Sequence, residues 1–252
     1  LEAYGKIAIN YNRDVEVFPV LNDLLIKIMG HQIYKSPTDM GVNMVGNCIC
    51  DDEACQQAAK DEIIRRYYDI ANDVRRDVLP EEALNKIEII MNKAGVCKDD
   101  RHVAVKANEL AAKTKEPAVA IEYEGQIITG KTSKLMGASA AALLNTVKVA
   151  AGIPDIHILS KRVLEPIQEL KTKYLKGHNP RLHTDEVLIA IAVDSVTSDY
   201  CYEALQALEK LKGCEVHSSV LLSEVDVKVF KKLGMHLTQD PVYQTKKLYH
   251  AK

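Results

Sequence analysis

Residues 216–238, VHSSVLLSEVDVKVFKKLGMHLT, decide the architecture of the chain. Residues 216–222 read as a strand. Ser223 followed by Asp226 resembles a capping box, and helix 224–233 then presents Val225 and Val229 on one face. Gly234 ends that helix, and 235–238 is a second strand. Strand–helix–strand in so short a span implies parallel pairing through a right-handed crossover.

Working back from this unit, AVAIEY (118–123) and QIITG (126–130) read as strands joined by a tight turn at Glu124-Gly125. A helix over 139–151 and a short strand over 156–159 follow. Ser160 precedes a helical stretch that Pro166 starts or interrupts and that ends near Leu175. Thr184 is expected to cap an apolar helix over 185–197, although its VLIAIAV core equally suits a buried strand. Ser198 caps the next helix, with Leu205 and Leu208 inward and Gly213 as the stop.

The first hundred residues read as helical. Pro19 suits the first turn of a helix carrying Val20, Leu21, Leu24 and Ile28, with Gly30 as its end. Asp51 or Asp52 caps a long helix with an inward stripe of Cys55, Ala59, Ile63, Tyr67, Ile70 and Val74. Pro80 starts a third helix (Leu84, Ile87 and Met91 on one face, Gly95 at the end). Asp99 or Asp100 begins a fourth, through about Lys113.

Composition bounds the function classes. The chain has 252 residues, 47% hydrophobic and 27% charged, with only 12 Gly and 8 Pro, which excludes disordered and collagen-like classes. Residues 1–100 carry 12 Lys+Arg against 18 Asp+Glu, and residues 101–252 carry 21 against 17. The sign reverses near position 100, so a helical domain over 1–100 and an α/β domain over 101–252 are expected. The basic balance of the second part suits an anionic ligand and falls well short of a nucleic-acid binder. The longest uncharged stretch, 135–147, is too short to span a bilayer. No basic-then-apolar leader is visible, so the six cysteines read as reduced thiols and the expected location is the cytoplasm. A first residue of Leu rather than Met is that of a processed chain or a piece of a longer one.

GQIITGKT (125–132) satisfies the phosphate-loop pattern G-x-x-x-x-G-K-[ST]. A phosphate loop curls successive N–H groups around an anion and favours small residues between its glycines. Ile127 and Ile128 are β-branched and prefer a strand, so a hairpin is the expected structure and an ATPase the lesser alternative. Lys131, Thr132 and Ser133 still lie between a strand and a helix, where an anion would meet free N–H groups and a lysine. Residues 170–184, LKTKYLKGHNPRLHT, contain no acid. Lysines there suit a helix end, but Arg181 offers a planar fork to a carboxylate or phosphate, and His183 lies beside it. Lys131 and Arg181 are therefore expected to approach one anion. In SPTDMGVNMVG (36–46) the polar residues, Asp39 and Asn43 among them, follow no helical or strand period. That loop either reaches a ligand or packs between helices. Cys48, Cys50 and Cys55 match no tetrahedral zinc spacing, so no metal is expected.

SPTDMGVNMVG, DEIIRRYY (61–68), TGKTSKLMGASAAALLN (129–145), GHNPRLHTDEVLIAIA (177–192) and the closing strand–helix–strand together resemble the bacterial DUF1846 (UPF0371) family. The resemblance implies a helical N-terminal portion followed by a three-layer α/β/α domain with a mixed sheet, similar to deaminases without their zinc ligands. It also implies longer members of which this chain is the C-terminal half. It implies no established activity and no known cofactor. Two functions follow as expectations. One is binding of a small anionic or phosphorylated ligand, possible catalysis included, through Lys131, Thr132, Ser133, Arg181 and His183, with Asp39 and Asn43 from the loop. The other is an oligomerisation or scaffold role, with a homo-oligomer as the partner and neither nucleic acid nor membrane.

Overall fold

The computed structural model describes residues 11–37, 39–40 and 52–244. The chain divides between Arg101 and His102 into two compact units.

The described part of the first unit is helical: α1 (Tyr11–Met29), α2 (Asp52–Arg75), α3 (Glu81–Ala94) and a 3-10 turn Lys98–Asp100. Pro19 lies inside α1 rather than in its first turn, because the helix begins at Tyr11. Val20, Leu24 and Ile28 are 64%, 52% and 67% exposed. On α2 the buried line runs through Ala59, Ile63, Ile64, Tyr68 and Ala71. Tyr67, Ile70 and Val74 are half-buried at its edge, and the Cys55 side chain lies outside the described set. α3 buries Ile87 and Met91, and ends at Gly95, whose φ of 66° lets its N–H reach back to the carbonyls of Met91 and Asn92. Asp100 caps only the 3-10 turn, accepting from the Cys97 N–H at 2.7 Å.

The second unit is a three-layer α/β/α structure. It comprises α4 (His102–Thr114), β1 (Ala118–Tyr123), β2 (Gln126–Lys131), α5 (Ala138–Ala150), α6 (Lys161–Glu169), α7 (Thr184–Asp194), α8 (Asp199–Gln206), β3 (Glu215–Ser218), α9 (Glu224–Lys232) and β4 (His236–Gln239). α6 continues into a π-helical turn, Leu170–Tyr174, and α8 into a 3-10 turn, Ala207–Leu211.

The sheet order is β2-β1-β3-β4, with β1 antiparallel to both neighbours and β3 parallel to β4. Successive strand residues face opposite ways. Ala120 accordingly joins Val103 and Ala107 of α4 on one face. Val119 and Ile121 join Leu143, Val147, Ile191 and Phe230 on the other. β1 is covered on both faces, which accounts for its unbroken apolar run. Each large side chain enclosed there, such as Phe230 at 0% exposure, contributes about 2–3 kcal/mol.

Several expectations meet corrections. Residues 156–159 form no strand and belong to the loop 153–160. Residues 216–222 hold their strand only through Ser218, where the ladders to β1 and β4 both end; beyond it the Leu221 N–H still donates to the Val242 carbonyl at 2.8 Å. Thr184 is the first residue of α7, not its cap; the cap is His183, whose N–H donates to Glu186 Oε2 at 2.8 Å. α9 turns Asp226 and Phe230 inward and leaves Val225 43% exposed. Helix, and not strand, is the structure of 184–194.

Candidate ligand-binding cleft of the second unit

The GKT segment ends a hairpin. Glu124 (φ 49°) and Gly125 (φ 76°) form the two-residue turn, and Ile127 and Ile128 pair with Glu122 and Ile121. Gly130 faces α5 so closely that a Cβ would lie 2.1 Å from the backbone nitrogen of Ala142. Helix packing, not a phosphate, therefore requires that glycine. The N–H groups that a phosphate would need are already used. Thr132 donates to the Pro117 carbonyl at 2.9 Å and Ser133 to that of Met136 at 3.0 Å. Thr132 is buried, and the Ser133 hydroxyl accepts from Leu135 and Met136 N–H, each at 3.2 Å.

Lys131 and Ser133 nevertheless line a cleft of about 910 Å³ between β2, α5, α6 and the loop 153–160. Its apolar walls include Leu135, Leu144, Ile158 and Leu164; its polar rim includes Lys131, Lys148, Lys161, His157, Asp155 and Glu165. Helical spacing explains the α5 wall, since Ala141, Leu144, Asn145 and Lys148 recur at i, i+3, i+4 and i+7. Asn145 anchors that wall to the sheet, donating to the Thr129 carbonyl at 3.0 Å. Lys148, only 7% exposed, pairs with Asp155 at 2.7 Å. That hydrogen bond and charge hold the exposed Asp155 carboxyl below the usual carboxylate range.

Arg181 comes to the same region from 48 residues away. Its Nε donates to the Ser133 carbonyl at 2.8 Å, which puts it beside a cleft-lining residue. His183 is committed elsewhere. Its Nδ1 lies 3.4 Å from Asp226 Oδ2, so the ring serves the junction of α7 and α9. Asp226 also accepts from the Thr184 N–H and hydroxyl (3.1 and 2.9 Å) and from the Ser223 hydroxyl (2.8 Å). Burial pushes the Asp226 carboxyl up, but His183, the Thr184 N–H and the Ser223 hydroxyl outweigh it and bring it down to about 2. Asp226 in turn raises the His183 imidazole above its ordinary value, against its own desolvation and Lys171. Lys171 reaches Glu186 at 2.6 Å and the Arg181 carbonyl, tying the π-helical turn to the start of α7.

Asp39 belongs to the first unit, where it is buried and accepts from the Lys35 N–H at 2.8 Å. Asn43 lies outside the described residues. The structure thus brings Ser133 to Arg181 and places Lys131 in the same cleft. It removes His183 to another network and leaves Thr132 buried at the strand end.

The sequence reading missed Lys148, Asn145, His157 and Lys161. A signal for Lys148 existed: it ends the uncharged stretch 135–147 and falls on the helical face of Asn145. The loop residue His157 carried none. The reading also missed the buried pair His217 and Thr238, whose Nδ1 and Oγ1 are 2.8 Å apart. Among the described residues no group of three His, Cys, Asp or Glu could hold a metal ion. No helix among them is long and apolar enough to cross a membrane.

Comparison with known proteins gives consistent results along the whole chain. Residues 99–249 match the "Domain of unknown function DUF1846, C-terminal" and residues 1–95 the corresponding N-terminal domain. A UPF0371 protein of Corynebacterium urealyticum is 51% identical over 254 residues, covering 100% of this chain and 51% of the relative. One from Corynebacterium efficiens is likewise 51% identical with the same coverage. One from Streptococcus pyogenes serotype M5 is 50% identical over 251 residues, 99% of this chain and 51% of the relative. The chain spans about half the length of these relatives. It belongs to the DUF1846 (UPF0371) family.

Proposed function

We propose that this member of the DUF1846 family binds a small anionic ligand, phosphorylated or carboxylated, in the cleft between β2, α5 and α6. The observation that carries this reading is the composition of the cleft wall. Three lysines (Lys131, Lys148, Lys161) and His157 stand against two acids, Asp155 and Glu165, over an apolar floor. Few precisely placed polar groups on an apolar lining are the usual make-up of a small-molecule site. Arg181, next to Ser133, adds a bidentate donor at the margin. Catalysis is not part of the proposal.

The test is a thermal-shift screen of the full chain against phosphorylated and carboxylated metabolites, followed by calorimetry on any hit. A ligand that binds the folded state raises the melting temperature with concentration. The rise should shrink with added salt and vanish in a Lys131→Glu/Lys161→Glu variant. A screen in which no anion shifts the melting point, or in which the variant binds equally well, refutes the proposal.

A second reading, self-association, is favoured by one observation: Val20, Leu24 and Ile28 form an exposed apolar row on α1. Rows of this kind mark interaction sites more often than isolated exposed residues do. Light scattering on a Leu24→Glu/Ile28→Glu variant should then report a smaller species than the parent. Equal masses exclude that row as the interface.

A further inference from the structure

Lys148 is an unusual place to put a charge. Its side chain is only 9% exposed, yet its partner Asp155 is fully solvated, at 102%. An ammonium carries three donors. Among the described residues Lys148 makes one hydrogen bond, to Asp155 Oδ1 at 2.7 Å. Taking an ammonium out of water costs several kcal/mol, and a solvated carboxylate offsets little of that. As a purely structural pair the arrangement is poorly matched. As a binding site holding a stand-in it is well matched.

The loop that brings Asp155 is pinned to its surroundings at both ends, while among the described residues its central backbone makes only a local bond, from the Ile156 N–H to the Pro154 carbonyl at 2.8 Å. The Ile153 N–H donates to the Lys148 carbonyl at 2.8 Å. At the other end Ser160 is held twice by Asp194, through its N–H and its hydroxyl, each at 2.7 Å. Cys201 Sγ reaches the Ile158 carbonyl at 3.2 Å. Between these anchors Asp155, Ile156 and His157 are exposed. The Asp155 side chain can therefore swing away while the loop stays attached.

Resting on the proposed cleft, we infer that Lys148 is the seat for the ligand's anionic head, and that the Asp155 carboxylate occupies this seat until a ligand displaces it. The class of ligand follows from the surroundings. A carboxylate already fits the seat, so the head is an oxyanion, carboxylate or phosphate. Leu135, Leu144, Ile158 and Leu164 line the space beyond, so the body is apolar. Displacement exchanges one oxyanion for another on a single ammonium, and neither a covalent bond nor a proton transfer is involved.

The experiment titrates the full chain with hexanoate and, separately, hexyl phosphate, by calorimetry, in the parent and in Asp155→Asn, Lys148→Met and Lys148→Arg. Asp155→Asn should bind up to about fivefold tighter, because an internal competitor in a half-exposed pair is removed. Lys148→Met, which keeps the buried stem, should bind at least about tenfold weaker, and Lys148→Arg should retain binding. The stronger-bound probe identifies the head. Carbon-detected NMR of Asp155 should show its carboxyl returning to the ordinary range when the probe saturates the cleft. If both probes bind the parent and Asp155→Asn equally and the Asp155 resonance does not move, displacement is wrong while the cleft stands. If Lys148→Met and the parent bind alike, Lys148 is not the seat. Should Lys148→Met fail to fold, Lys148→Arg and Asp155→Asn decide the matter. If neither probe binds any version, this inference falls, while the cleft reading is decided by the wider metabolite screen.

Discussion

Replacing Asp226 with Asn removes a charge from the junction of α7 and α9 while keeping its shape. In the native chain the carboxylate takes four polar groups: Thr184 N–H and hydroxyl, the Ser223 hydroxyl and His183 Nδ1. The amide oxygen of Asn can keep the Thr184 pair. Its NH₂ then faces the Ser223 hydroxyl and the imidazole, so one charge-assisted interaction is lost, about 1.5–3 kcal/mol. The lowered pKa gives a second route to the magnitude. A carboxyl at about 2 rather than 3.8 corresponds to about 2 kcal/mol of stabilisation at neutral pH. Both routes count the same contacts and are not added; the expected loss is about 2 kcal/mol. Its pH dependence has a definite sign. The folded value lies below the unfolded one, so the contribution is complete above about pH 4 and disappears as pH falls through about 2. The raised imidazole of His183 acts in the opposite sense. Its contribution is present below the ordinary histidine value and is lost as pH rises through the folded one. Urea unfolding at a series of pH values should therefore show parent and variant converging in acid. A variant as stable as the parent near neutrality, or a gap that persists unchanged in strong acid, refutes this account.

Gly130→Ala should be severely destabilising, by about 3 kcal/mol, because its Cβ would collide with the backbone of Ala142 at 2.1 Å; a melting curve like the parent's would show that α5 yields. Ser223→Ala removes both the acceptor for the Asp226 N–H (3.3 Å) and a donor to its carboxylate, so about 0.5–2 kcal/mol should be lost by denaturant unfolding, with ligand affinity in the cleft unchanged. A Ser223→Ala variant of normal stability that loses binding would move the site to α9. Lys131→Ala, on an exposed strand end, should change stability by no more than about 0.5 kcal/mol. Magnesium-dependent ATP hydrolysis by the chain that Lys131→Ala abolishes would overturn the hairpin account of GKT.

What the sequence disclosed and what it hid follow from the range of the interactions involved. The 124–125 turn, the β-branched pair Ile127-Ile128 and the Ser223 cap are local decisions, made within four residues, and each is present as expected. The ends of elements depend on neighbours. β3 stops at Ser218, where its ladders with β1 and β4 both end, and 156–159 has no strand beside it among the described residues. Faces depend on neighbours too. Val229 packs against the core as expected but Val225 does not, because α9 turns Asp226 inward instead, and a buried Asp226 is acceptable only when Thr184, 42 residues away, supplies its donors. The same logic governs the cleft. Lysine is read by default as a solvated residue, and Lys131 and Lys161 conform. Lys148 does not, and only the walls that close over it reveal the difference. A lysine that closes a thirteen-residue uncharged run, on a face shared with Ala141, Leu144 and Asn145, must either extend to solvent or meet an anion. In this chain it stays buried and meets an aspartate that stands in water, and that mismatch is the observation on which the proposed anion seat rests.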